Sequence, residues 1–116
     1  MPFNDFSAPP VARVRVTIHY CNLCRWMLRA AWLAQELLGS FPDELDEVAL
    51  HPGSGGVFAI WVNDSLVWER QRDGGFPEAK ILKQRVRDLV CPDRSLGHSD
   101  SKPASGEAEG DELPPS

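Results

Sequence analysis

The hydrophobic period changes once between Val11 and Leu38, and the change falls on a pair of cysteines. From Val11 to Tyr20, Val14, Val16 and Ile18 alternate with Arg13, Arg15 and Thr17, the period of two expected of a β-strand with one buried face. From Leu23 to Leu38, Met27, Ala30, Ala31, Ala34, Leu37 and Leu38 recur at spacings of three and four, while Arg25, Arg29 and Glu36 stay polar. That spacing predicts a helix, stopped by Gly39 and Pro42. Cys21-Asn22-Leu23-Cys24 therefore stands where a strand hands over to a helix.

The rest of the chain supplies what such a unit needs to bury its faces. Val48 and Leu50 alternate in a short strand near Glu47–His51, and His51-Pro52-Gly53-Ser54-Gly55-Gly56 is expected to be a loop. Val57–Val62 and Leu66–Glu69 are apolar runs around Asn63-Asp64, which predicts a β-hairpin. After the Asp73-Gly74-Gly75 break, Pro77 and Glu78 suit the first turn of a helix. Ile81, Leu82, Val86, Leu89 and Val90 give that helix its stripe, and Pro92 ends it.

The order is β-α-β-β-β-α. A right-handed βαβ unit makes the first two strands parallel, and the hairpin adds antiparallel ones. The fold class is α/β (α+β): a thioredoxin-like, four-stranded mixed sheet with two helices. Residues 1–10 are expected to be a flexible N-terminal arm and 11–97 a single domain. Residues 98–116, rich in Ser, Pro, Gly and Glu, are expected to be a disordered acidic tail.

Charge and composition exclude several functions. Residues 100–116 place five carboxylates against Lys102 alone and so carry four of the five net negative charges. A nearly neutral body with an acidic tail gives no field for phosphate backbones, which argues against nucleic-acid binding. No 18-residue apolar run exists to span a bilayer. Met1–Pro10 lacks the basic and apolar regions of a signal peptide, so the expected compartment is the reducing cytoplasm. Three cysteines, an odd number, do not suit a stapled secreted framework.

The i, i+3 spacing of Cys21 and Cys24 lets two sulfurs bond through a small loop. Free N–H groups at a helix start would stabilise a thiolate there, moving its pKa from about 8.5 toward the roughly 3.5–7.5 range of such motifs. A loop-end position also exposes sulfur to a partner, as exchange requires. Zinc is the competing reading, but a closed site needs four ligands. Only Cys91, His19, His51 and His98 remain to complete one, so no metal site is expected. Cys91 reads as a small apolar residue near a helix end or as an incidental surface thiol. His19 should project opposite Ile18, as a plain strand residue or as a neighbour tuning Cys21. Trp26 either packs in the core or covers the dithiol.

The stretches Val14-Arg15-Val16 … Tyr20-Cys21-Asn22-Leu23-Cys24, Gly55-Gly56-Val57-Phe58 and Asp73-Gly74-Gly75-Phe76-Pro77-Glu78 resemble the selenoprotein W-like, or Rdx, family. The helix Leu82–Asp88 and Gly97-His98-Ser99-Asp100 are similar to its bacterial, cysteine-only branch. The resemblance covers about residues 11–100. It implies a thioredoxin-like fold, a redox pair at Cys21 and Cys24, and a glutathione-linked antioxidant role. Selenium-containing members hold selenocysteine at the position of Cys24. By that analogy Cys24 attacks, whereas helix electrostatics and thioredoxins favour Cys21, and the order stays open. Many members also have Glu after the Phe of the strand motif; here Ala59 follows Phe58.

The expected function is thiol–disulfide exchange with protein thiols or disulfides, without metal or organic cofactor, and with glutathione as a candidate reductant. The alternative is a redox-sensing binding module that recognises a protein partner through the CxxC face.

Overall fold

The computed structural model describes residue 8 and residues 12–97. His98, most of the expected arm and the whole expected tail lie outside the described residues. The elements are β1 (Arg15–Cys21), α1 (Met27–Ser40), β2 (Glu47–Gly53), β3 (Phe58–Val62), β4 (Ser65–Glu69), α2 (Arg70–Asp73) and α3 (Ala79–Val90). They build one mixed sheet of order β2-β1-β3-β4. β1 and β2 are parallel, and β3 pairs antiparallel with both β1 and β4. This is the expected α+β, thioredoxin-like arrangement, with α2 as a single added turn.

The alternation in β1 works as expected. Val16, Ile18 and Tyr20 enter the core, while Arg15, Thr17 and His19 point the other way. Both long helices pack on the Val16–Ile18 side, where Ala30, Leu33, Leu37, Leu82 and Val86 meet Phe58 and Ile60 in one cluster. Lys83 Nζ donates to Glu36 Oε1 at 2.8 Å and ties α3 to α1. Among the described residues, the opposite face of the sheet carries no helix.

Three boundaries differ from the sequence expectation, each for a physical reason. β1 begins at Arg15 rather than Val11, because the Asp46 carboxylate takes the N–H groups of Arg13 and Val14 at 2.7 and 2.9 Å. β2 runs through His51-Pro52-Gly53, expected to be a loop. It is an edge strand, where the missing N–H of Pro52 leaves no inner ladder bond unmade. α1 begins at Met27 rather than Leu23, since Arg25 is left-handed at φ 64° and breaks the helical run. The stripe of α1 is also displaced: Leu33 is buried, whereas Met27 and Leu38 are exposed. In α3, Leu89 is exposed in the same way.

The hairpin turn is fastened to β1. Asn63 adopts φ 53°, a conformation asparagine tolerates. Its N–H donates to the Arg15 carbonyl at 2.8 Å, and its Oδ1 accepts from Arg15 N–H at 2.9 Å.

Candidate active site

Cys21 is the last residue of β1 and Cys24 lies in the turn that follows, three residues before α1 starts. Two backbone bonds close this turn: Arg25 N–H to the Asn22 carbonyl at 3.0 Å and Trp26 N–H to the Cys21 carbonyl at 3.4 Å. Asn22 N–H donates to the Gly53 carbonyl at 3.0 Å, anchoring the motif to the end of β2. The two sulfurs come within 2.6 Å, with the Cys24 thiol donating to Cys21. Both are free, Cys21 buried and Cys24 exposed.

The placement of Cys24 corrects the expectation of a helix-start thiolate. The donors around the sulfurs come chiefly from loops. Cys21 is held below the usual thiol range first by the Cys24 S–H it accepts. Burial opposes this, and the backbone N–H groups of Gly56, Cys24 and Leu23 reinforce it. Cys24 is pushed up, first because its proton is engaged by Cys21, then by burial and by the charge on Cys21. The Gly56 N–H and the Arg70 guanidinium work the other way. Of the two sulfurs, Cys21 therefore gives up its proton more readily and Cys24 holds its own more tightly.

Three separated sequence motifs converge here. Gly55 and Gly56 both have positive φ, 72° and 75°, which turns the Gly56 N–H toward the sulfurs. The Gly56 carbonyl accepts from Arg70 Nε at 3.3 Å. Arg70 opens α2, whose first N–H groups, Gln71 and Arg72, are capped by the Glu69 carboxylate at 3.2 and 2.7 Å. Asp73 closes it, accepting from Glu69 N–H at 2.9 Å and from Arg85 Nη1 at 3.2 Å. Burial pushes the Asp73 carboxyl up, but the hydrogen bonds from Glu69, Arg72 and Arg85 outweigh it and leave its pKa lowered. Gly74 and Gly75 then donate to the Arg70 carbonyl at 2.9 and 2.8 Å and turn the chain back.

That return delivers Phe76 under the dithiol loop. Its ring lies edge-to-face with Trp26 at 4.9 Å and with Phe58 at 5.0 Å. Arg29 sits 4.1 Å over Phe76 and Arg70 5.2 Å over Trp26. Trp26 is thus half-buried and packed against the core, the first of the two roles considered for it. Leu23, between the cysteines, is 85 % exposed.

The remaining candidates lie elsewhere. Cys91 follows α3, half-buried against the core. His19 faces away from Ile18, as expected, and meets His51 across the strand pair, Nε2 to Nδ1 at 3.0 Å. Its pKa is lowered, first by burial and then by His51. Sequence reasoning missed Arg70, which lies between the expected hairpin and the Asp73-Gly74-Gly75 break. The signal that could have found it is Asp73-Gly74-Gly75, which must end some preceding element. Among the described residues, no group of three or more His, Cys, Asp or Glu could hold a metal ion. No helix among them is long and apolar enough to cross a membrane.

Comparison with known proteins places this geometry. Residues 15–88 match the model of the Rdx family. A crystal structure of a Bordetella parapertussis protein is 61 % identical, with a TM-score of 0.65 over 66 % of this chain and 98 % of that one. The selenoprotein W-related protein of Vibrio cholerae is 59 % identical, with a TM-score of 0.65 over 66 % of this chain and 95 % of that one. Migration and invasion enhancer 1 of Bos taurus is 31 % identical over 74 residues, which is 64 % of this chain. The Mus musculus protein of that name is 30 % identical over 74 residues. The chain spans 63 % of the length of these two curated relatives.

Proposed function

This chain belongs to the Rdx family, and from that premise we propose that it is a thiol–disulfide redox protein in which Cys24 attacks and Cys21 resolves. The observation that carries the proposal is the asymmetry of the pair, two free sulfurs 2.6 Å apart with only Cys24 open to a partner. A buried sulfur cannot line up with a protein disulfide, whereas an exposed one can once its proton has passed to its neighbour.

The steps balance as a two-electron exchange. Cys21 accepts the Cys24 proton as the Cys24 sulfur attacks one sulfur of a partner disulfide. A mixed disulfide forms on Cys24 and the other partner sulfur leaves as a thiolate. Cys21, losing its proton to solvent and restabilised by the N–H groups around it, then attacks the Cys24 sulfur. The Cys21–Cys24 disulfide forms and the second partner thiolate leaves. The partner is reduced by two electrons and the pair is oxidised. Two molecules of glutathione would restore the dithiol, each giving one electron, with glutathione disulfide as product. Neither step uses a metal or organic cofactor. This chemistry suits a reducing compartment, and we place it in the cytoplasm.

A second reading rests on Leu23, whose exposure between the cysteines suits a partner-docking module that senses redox state without turnover. Trapping with single-serine variants separates the two. Cys21→Ser should hold partners as mixed disulfides on Cys24, and Cys24→Ser should hold few. Capture of the same partner by both variants and by the double variant would support the docking module instead.

A further inference from the structure

On the face of the sheet that carries no helix among the described residues, we propose that His19 and His51 form a surface site for a late first-row divalent cation such as nickel, copper or zinc. The two residues are direct register partners on the parallel strands β1 and β2. Their backbones are therefore fixed side by side at the strand spacing of about 4.8 Å. Their rings stand nearly perpendicular, 79° with centroids 4.3 Å apart, and Nε2 of His19 faces Nδ1 of His51 at 3.0 Å.

That nitrogen separation has a chemical meaning. Two imidazole nitrogens bound to one ion at about 2.1 Å and at right angles lie about 3.0 Å apart. The rings already hold the spacing of two adjacent coordination positions, and a bound cation would take the place of the proton they share. Imidazole is the ligand type that these cations favour. His51 is exposed and His19 half-buried. Ala59, across from His19 on β3, adds no bulk beyond its methyl group on that flank. The cation would take two protein ligands and complete its shell with water or with a group from a partner. This site does not use the Cys21–Cys24 pair, and the redox proposal neither requires nor excludes it.

The rival account is a hydrogen-bonded imidazole pair with no affinity for metal. Nickel(II) titrated calorimetrically into the full chain tests between them. The same titration is run on His19→Gln, His51→Asn, His98→Ala and a Cys21→Ser/Cys24→Ser double variant. The expected result is one nickel per chain, with affinity falling at least about tenfold in each of the first two variants as one imidazole ligand is lost. The last two should bind as the parent does, which separates this site from the dithiol. Absence of binding, affinity unchanged in His19→Gln or in His51→Asn, or affinity lost with the cysteines or with His98 would overturn the proposal.

Discussion

Arg70 donates from Nε to the Gly56 carbonyl at 3.3 Å, so the glycine whose N–H faces the two sulfurs is held from behind by a guanidinium. The same guanidinium acts on Cys24 through its charge, opposing the rise in that thiol's pKa. Arg70 is therefore a positioning residue for the dithiol loop. In a Cys21→Ser background, Arg70→Met should slow alkylation of Cys24 at neutral pH about two- to fivefold, the range of an exposed charge pair. The iodoacetamide rate measured against pH checks this, and the midpoint of the profile should move upward.

The glycine of the dithiol loop differs in kind from the helical one. A Cβ at Gly56 would find open space except for Arg70 Nη2 at 3.6 Å, but its φ of 75° is strained for any L side chain. Gly56→Ala should cost about 1–2 kcal/mol and raise the Cys21 pKa by turning the N–H away. Gly39, near the end of α1, has no atom within 4 Å of where an alanine methyl would stand. Gly39→Ala should be neutral or stabilising by up to about 1 kcal/mol. Urea unfolding of the two variants measures the contrast.

Stability should fall in two stages as the solution is acidified. The His19 pKa is lowered from 6.5 by folding, so below pH 6.5 the unfolded chain binds that proton first and the folded state loses ground. Asp46 and Asp73 are held below 3.8. Asp46 is lowered first by the Val14 N–H and then by Arg13; for Asp73, burial is outweighed by hydrogen bonds. Their contribution is present above that value and disappears as pH falls through their folded pKa. Melting temperature followed from about pH 8 to about pH 3 should show both losses, and His19→Gln should remove its share of the first.

Much of this architecture is legible in the sequence because it follows from periodicity. The alternation of Val16 and Ile18 specifies a strand with one buried face, and Asn63-Asp64 specifies a tight turn. The boundaries are less legible because they depend on partners distant in the chain. Asp46 shortens β1 from 32 residues away, and an edge position admits Pro52 into β2. The site divides in the same way. Cys21 and Cys24 are visible as a motif, whereas Arg70 joins them only through the hairpin and the α2 turn. The displaced start of α1 could not be read from apolar spacing, since Met27, Ala30 and Ala34 fit either start and only the backbone at Arg25 decides.

The central claim is that Cys21 and Cys24 act as one two-electron couple. Equilibrating the full chain in glutathione buffers, quenching with acid and counting alkylated thiols by mass tests it directly. Cys21 and Cys24 should change state together with a midpoint between about −300 and −120 mV, while Cys91 does not follow them. Oxidation of either cysteine without the other, or no transition across that span, would contradict it.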